Sequence, residues 1–352
     1  MLGTAALQRR GMEERPQELY LFTQKILIIA GVVLLFVGLY LLRSLVLMFF
    51  LAILIAILWS GMTRFLLQVP RVQGPRGVWV VVSALTSLGV LAGAGFLFFA
   101  PAREQFEELI QHVPAQLDDV VAQVLPILRR FGVAEATLEQ LDVTVIFDEV
   151  TRMSLEYLRL GLVGSLGFLM TLFVGFFLAY NPGRYRRGFL RLVPVRKRER
   201  VRELLEDLHE SLLQWLKAAG ITMVFVGTLI GITLWALGIP YALLFGVASG
   251  ILELVPFIGP FISFAVPFAV ALTISVPHAI GVAIAWSIIQ SLESGVITPG
   301  VMAIKVALPP AITIMVIIGM GQLFGFLGVL LATPILAIHL RLIHQLTPDV
   351  NE

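Results

Sequence analysis

The stretch that decides the fold is Glu253-Leu-Val-Pro-Phe-Ile-Gly-Pro-Phe-Ile-Ser263, ELVPFIGPFIS, where one carboxylate stands inside a long apolar run. Pro256, Gly259 and Pro260 follow the acid within seven residues. Proline lacks the backbone donor that a helix needs, and a carboxylate near the centre of a bilayer is costly unless it is paired, protonated or hydrated. The stretch therefore predicts a broken membrane segment whose acid either has a function or caps the freed backbone.

The composition surrounding this stretch is that of an integral membrane protein. The 352 residues are 58% hydrophobic and 14% charged, whereas soluble chains are about half apolar and about a quarter charged. The absence of cysteine excludes thiol chemistry and Cys-ligated metals. No histidine has metal-ligand spacing, and no Walker, GxSxG or HExxH motif occurs. We therefore expect no metal, no cofactor and no enzyme activity.

Membrane helices need about 20 mainly apolar residues, and six runs meet this requirement: 26–42, 45–62, 77–100, 160–180, 218–237 and 279–298. Two longer stretches, 240–276 and 309–340, fit no single upright helix. The sequence thus predicts an all-α polytopic protein with about eight membrane segments, two of them broken or re-entrant.

Two polar segments separate these runs. Residues 101–159 hold eleven acids and five arginines, and residues 183–217 hold ten bases and five acids, ending in an amphipathic helix. Basic loops face the cytoplasm, so we expect a multi-pass protein of the bacterial inner membrane with both termini cytoplasmic and the acidic segment outside. We interpret the basic run as a topology signal with a lipid headgroup contact rather than a nucleic-acid site, because basic loops of membrane proteins commonly set orientation and contact anionic lipid.

The predicted organisation follows from these segments. A cytoplasmic tail (1–25) precedes three scaffold helices (26–100), the acidic helical segment (101–159) and a fourth membrane helix (160–180). The basic loop with its amphipathic helix (181–217) then leads to a transport unit (218–345) that contains both broken stretches.

A repeat relates the two broken stretches. With an offset of 69 residues, Glu253-Leu254 aligns with Gln322-Leu323, and the block 256–259 aligns with 325–328. If both stretches are re-entrant hairpins, the transport unit is an inverted-topology repeat, and broken helices at matching positions mark transporter sites. Kinked full spans would accommodate the same residues, and the charge pattern does not distinguish the two arrangements.

Polar groups and helix breakers in these segments are the candidate site. Glu253 and Glu293 are the candidate coupling or cation-binding acids, and Gln290 shares a helix face with Glu293. The full set of predicted pathway residues is Glu253, Pro256, Gly259, Pro260, Gln290, Glu293, Thr298, Pro299, Gln322, Gly325 and Gly328.

The residues quoted so far also carry a resemblance. ELVPFIGPFIS at 253–263, LGIPYALLFG at 237–246, QSLESGVITPGVM at 290–302 and GQLFGFLGVLLATPI at 321–335 are similar to the autoinducer-2 exporter family of bacterial permeases. The resemblance implies an inner-membrane homo-oligomer, with a pentamer as one form, that exports the quorum-sensing signal autoinducer-2 or exchanges sodium for protons. The family pattern commonly has Asn where this chain has Glu253, which puts a shared substrate in doubt and favours ion coupling through this acid.

Three functions remain open on this reading. The first is a secondary transporter that exports a small polar solute, coupled to Na⁺ or H⁺. The second is a cation–proton antiporter. The third is a scaffold that transports nothing and recruits partners through the acidic or the basic segment. The expected partners are a small polar solute, Na⁺ or H⁺, the lipid bilayer and further copies of the chain, with no nucleic acid.

Overall fold

The computed structural model of the protein describes residues 24–68 (without 29, 33, 35, 36, 39 and 40), 74–130, 165–297 and 309–346. The chain divides into two compact units, Met1–Met48 and Phe49–Glu352. In the first unit, the described residues are mostly helical and expose Ile26, Leu27 and Leu34. All that follows concerns the second unit, apart from the first residues of helix α1.

The described residues form helices joined by short turns, with no strand among them. From Arg43 onward, the α-helices of the described residues are α1 (Arg43–Leu67), α2 (Arg76–Arg130), α3 (Ser165–Tyr180), α4 (Pro182–Arg191), α5 (Arg198–Ala236), α6 (Ala242–Leu252), α7 (Ile258–Ile274), α8 (Val276–Leu292) and α9 (Pro310–Leu346). Four segments in the described part of the chain are long and apolar enough to cross a membrane: Arg43–Leu67, Arg76–Phe98, Val195–Ala236 and Pro310–Ile343. The bent pair α3–α4 makes a fifth candidate, while α6 and α7 are shorter apolar helices. The all-helical membrane class is therefore confirmed, whereas eight segments and an inverted repeat stay predictions.

Two helices continue further than the sequence indicates. α2 runs without interruption through Pro101, Pro114 and Pro126, where short separate helices are expected. α5 combines the amphipathic segment with the apolar run that begins near Ala218, so these are one helix of 39 residues. Continuous hydrogen bonding along the backbone outweighs the local penalty of single prolines in a long helix.

Close packing of glycines joins α5 to α6. Gly227 and Gly231 on α5 face Gly246 and Gly250 on α6, each pair spaced four residues apart. A Cβ atom on Gly227 would lie 2.8 Å from the Gly246 carbonyl oxygen, and one on Gly250 would lie 2.7 Å from that of Met223. Small residues at this spacing let membrane helices approach at backbone distance. Because the earlier glycine of α5, Gly227, contacts Gly250 and the later one, Gly231, contacts Gly246, the two helices run antiparallel.

The chain folds back after α6. Pro256, Phe257 and Ile258 form a γ-turn, in which Ile258 N donates to Pro256 O at 2.8 Å and Phe257 has φ 66° and ψ −50°. A Cβ atom on Gly259 would overlap the Leu252 carbonyl oxygen, so the two helices meet at this turn without room for a side chain. Ala242 at the start of α6 and Val270 near the end of α7 belong to one core cluster. α6 and α7 are therefore a hairpin whose tip is the turn at 253–257.

The second broken stretch bends in the same manner. Gly325 has φ 64° and ψ −148° inside α9, and a Cβ atom on Gly328 would overlap the Met320 carbonyl oxygen. Ile317 and Ala332 share a core cluster, although fifteen residues of straight helix would separate them by about 22 Å. Val255, from the tip of the first hairpin, lies in that same cluster. The tip of the first hairpin thus packs against the two arms of the second broken stretch.

Ion pairs gather the basic segments at one end of this unit. Arg64 pairs with Glu210 at 3.6 Å, and Arg186 pairs with Glu206. Arg341 near the end of α9 donates to both oxygens of Asp207, at 2.6 and 2.7 Å. We call the end of the unit where these ion pairs lie the basic end.

The acidic segment begins elsewhere along α5. Gln105 of α2 accepts a hydrogen bond from Leu244 N at 2.9 Å, so the start of this segment packs beside α6. The pair of Asp207 and Arg341 lies farther toward the N-terminal end of α5.

Candidate functional site

Glu253 lies at the tip of the first hairpin, directly after the last residue of α6. Its side chain is half-buried and lies close enough to the Gln290 side chain to interact with it. The second carboxylate oxygen, Oε2, is buried and has no hydrogen-bond partner among the described residues. The side chain therefore reaches across to α8 instead of only capping its own helix.

The backbone at the break satisfies most of its own hydrogen bonds. Leu254 N donates to Ile251 O at 3.2 Å and Val255 N donates to Leu252 O at 2.9 Å, which tightens the last turn of α6 to a 3₁₀ pattern. Gly259 N donates to Val255 O at 2.9 Å and so closes the turn from the other side. Because these groups are paired with one another, the capping explanation of Glu253 loses its main support.

Gln290 and Glu293 come from the last turn of α8 and the turn that follows it. α8 begins at a cap where Ser275 Oγ accepts from His278 N at 3.4 Å, and it ends at Leu292, where a π-helical turn, Glu293–Ile297, continues it. Single π turns inside helices are frequent at functional sites. Gln290 Oε1 is buried and has no hydrogen-bond partner in the part of the chain that the structure describes, and the charge of Glu293 acts on Glu253. Two acids and one amide thus converge where the first hairpin meets α8.

The electrostatics of this cluster favour a cation. The C-terminal end of a helix carries a partial negative charge, and Glu253 adds a carboxylate at the C-terminus of α6. The N-terminus of α7 at Ile258 offsets part of this field. The two carboxylates repel one another, and a proton or a bound cation between them would remove that repulsion. The site has the chemistry for binding a proton or a small cation.

The family follows from comparison with known proteins. A family model described as "AI-2E family transporter" matches residues 29–347. The chain belongs to this family. As a member of the AI-2E family, it is a multi-pass membrane protein whose relatives are transport proteins.

Individual relatives agree with this assignment. The chain is 28% identical over 166 residues to "Putative transport protein YrrI" of Bacillus subtilis (strain 168), which covers 47% of each protein. It is 26% identical over 325 residues to a "Putative transport protein" of Haemophilus influenzae, covering 87% of this chain and 88% of that protein. The chain thus matches about half the length of the Bacillus relative and most of the Haemophilus one.

This AI-2E family member also contains buried polar side chains that its sequence does not single out. Trp286 Nε1 and Ser263 Oγ are buried without hydrogen-bond partners among the described residues, and the Trp286 ring contacts Phe264 with centroids 5.0 Å apart. Both lie along the α7–α8 pair that holds Gln290. The signal available in the sequence was weak, since buried Trp and Ser are common in apolar helices.

A groove of about 540 Å³ runs along the exposed side of α8, lined by Ala283, Ile284, Ser287, Ile288, Ser291 and Leu292. Ser287 and Ser291 donate to the carbonyl oxygens of Ala283 and Ser287, at 2.8 and 2.7 Å. Ser287 precedes Gln290 by about one helical turn, and Ser291 directly follows it, so the two serines lie beside Gln290 on α8. Two serines therefore line an otherwise apolar groove on the exposed side of α8.

The remaining predicted site residues are placed less centrally. Gln322 is exposed on the second broken stretch, one turn before Gly325, and Gly328 is buried against Met320. Gly259 and Pro260 belong to the first turn of α7 rather than to the break, because proline is tolerated in a first helical turn. Pro256 forms part of the γ-turn. Thr298 and Pro299 lie outside the described residues.

Proposed function

We propose that this AI-2E family member is a secondary transporter that exports a small polar solute resembling autoinducer-2, with coupling to Na⁺ or H⁺ at the cluster of Glu253, Gln290 and Glu293. The observation that carries this proposal is the side-chain contact between Glu253, at the tip of a hairpin, and Gln290 on α8, with Glu293 in electrostatic range. Acids within the apolar segments of a membrane protein are energetically expensive and therefore mark ion or substrate pathways.

The broken helices support a mechanism of alternating access. We infer that both hairpins are re-entrant and that the tip of the first, where Val255 packs against Ile317 and Ala332 in the arms of the second, forms part of the wall between the two sides of the membrane. Irregular backbone at membrane depth persists where protein or a watery cavity surrounds it. In this mechanism, movement of one hairpin relative to α8 exposes the acid cluster to one side at a time.

A second function, cation–proton antiport, is favoured by the pairing of two acids. When a cation binds between Glu253 and Glu293, a proton held there is released, because the cation supplies the positive charge that the pair requires. The same cluster would then exchange ions directly and carry no organic solute. The solute exporter and the antiporter share the site and differ in what crosses the membrane.

The decisive experiment uses proteoliposomes containing a pH-sensitive dye, a sodium pulse and, in parallel, an autoinducer-2 gradient. For Glu253→Gln we expect a roughly tenfold loss of coupled transport, equivalent to about 1.4 kcal/mol. Glu203→Gln makes the same chemical change at an exposed position of α5 and should behave as wild type. Sodium-driven proton movement without solute movement would establish the antiporter. Equal coupled transport by wild type and Glu253→Gln would remove Glu253 from the mechanism.

A further inference from the structure

Helix α4 leaves the apolar helix before it at a right angle. The axes of α3 and α4 differ by 87° across a break at Asn181. Asn181 caps the new helix, since its Oδ1 accepts a hydrogen bond from Arg184 N at 3.3 Å, and Pro182 occupies the first helical position. Because α3 is an apolar membrane helix, a helix perpendicular to its end lies parallel to the membrane surface.

The side chains of α4 are divided among three faces. One face points inward, where Leu190 is buried and Arg186 pairs with Glu206 of α5. A second face exposes Tyr185 and Phe189 by about half, and the adjoining Leu192 by 83%. A third face exposes Arg184, Arg187 and Arg191. Helical spacing separates the apolar and arginine faces by roughly a third of a turn or more.

We propose that α4 is an interfacial helix that binds the headgroups of anionic phospholipids in the leaflet at the basic end. Exposed aromatic and aliphatic side chains enter the boundary between headgroups and acyl chains, which is the usual position of amphipathic interfacial helices. The long arginine side chains extend from the flanks of the helix to lipid phosphates, which they bind with paired hydrogen bonds. Arg196 and Lys197, exposed in the 3₁₀ turn after α4, extend the basic surface.

The orientation of α4 distinguishes a lipid from other anionic partners. A soluble acidic protein or a nucleic acid would meet the arginines but leave Tyr185, Phe189 and Leu192 in water, which is unfavourable for so much apolar surface. The bilayer satisfies both faces at once because the helix lies in its plane. The inward pair of Arg186 and Glu206 fixes which face is turned to the lipid.

The test exploits the absence of cysteine from the chain. A spin label is attached to Phe189→Cys or to Arg187→Cys in nanodiscs, and its accessibility to oxygen and to a water-soluble nickel chelate is measured. We expect the label at 189 to favour oxygen, as in acyl chains, and the label at 187 to favour the nickel chelate. Equal preference for the nickel chelate at both positions would place α4 in water and overturn the proposal.

Lipid charge is tested separately with nanodiscs of phosphatidylcholine alone or mixed with phosphatidylglycerol. Phosphatidylglycerol should raise the unfolding midpoint of wild type, and high salt should reduce that rise. In the triple variant Arg184→Gln/Arg187→Gln/Arg191→Gln, we expect the rise to fall by about half or more. Arg103→Gln, an exposed arginine of α2, should retain the full rise. An unchanged rise in the triple variant would contradict the proposal.

Discussion

At the scale of single residues, the ion pair between Asp207 and Arg341 joins the polar half of α5 to the end of α9. The hydrogen bonds from Arg341 hold the pKa of Asp207 below its usual value, against a smaller opposing effect of burial. A lowered pKa in the folded protein means that the pair stabilises it above the unfolded pKa of about 3.9. That contribution is lost as the pH falls through the lower folded-state pKa.

We predict that Asp207→Asn lowers the unfolding midpoint in detergent at neutral pH. The pair is partly exposed, so we expect a loss of about 1 kcal/mol, or roughly 2 °C. The difference from wild type should stay constant down to about pH 5 and shrink below about pH 4. Arg341→Gln should produce a similar loss, and the double variant should lose little more than either single one. A difference that does not shrink at acid pH would show that Asp207 stabilises the fold in another way.

The residues of the acid cluster show how far sequence can lead at this scale. Glu253, Gln290 and Glu293 were selected because each is polar within an apolar run, and the structure brings the three together. Gln322 was selected as the repeat partner of Glu253, yet it is exposed. Ser287 and Trp286 were overlooked since neither residue type is unusual in a membrane helix. The sequence identifies well the polar side chains whose burial in the membrane is unfavourable, whereas tertiary contacts decide which of them share a site.

At the scale of elements, glycines determine how closely helices approach. Gly227 and Gly220 both belong to α5, but only Gly227 of the two faces another backbone, that of α6, while none of the described residues lies within 4 Å of a Cβ atom at Gly220. We predict that Gly227→Leu separates α5 from α6 and costs about 1–3 kcal/mol, as overpacking does. Gly220→Leu should be neutral or slightly stabilising through helix propensity.

The measurement for this pair is the unfolding midpoint together with the yield of monodisperse protein in detergent. Transport in proteoliposomes is the second readout, because α6 carries Glu253 at its C-terminus. If Gly227→Leu matches Gly220→Leu in both, the glycine contact between α5 and α6 does not determine the position of the hairpin.

Breaks in helices were only partly predictable at the same scale. The prolines pointed to 256–260, but α7 has already begun at Ile258, so the break lies a few residues earlier. Pro267 and Pro334 lie inside helices without ending them. Positive φ angles at Phe257 and Gly325 mark where the chain turns, and for Phe257 no sequence rule would select a phenylalanine for a strained conformation.

At the scale of the whole second unit, α9 packs against other helices at two separate places. Ile317 and Ala332, on either side of its bend at Gly325, pack against Val255 at the tip of the first hairpin. The final turns of α9 pack on α5, where Ser211, Leu212 and Trp215 share a small cleft with Ala337 and Ile338. In the alternating-access mechanism proposed above, either α9 shifts relative to α5 or the bend at Gly325 absorbs the movement.

We predict that fixing α9 to α5 separates these two possibilities. Ser211→Cys/Ala337→Cys, in a chain without other cysteines, can be joined by a short bifunctional thiol reagent because both residues line that cleft. If the final turns of α9 move during transport, cross-linking should reduce proteoliposome transport roughly tenfold or more, and a reagent with a reducible linker should restore it on reduction. The pair Leu204→Cys/Ser211→Cys, joined within α5, controls for chemical modification. Full transport by the cross-linked protein would mean that this contact is static, and it would assign the movement to the hinge at Gly325 and the hairpin tips beside Glu253.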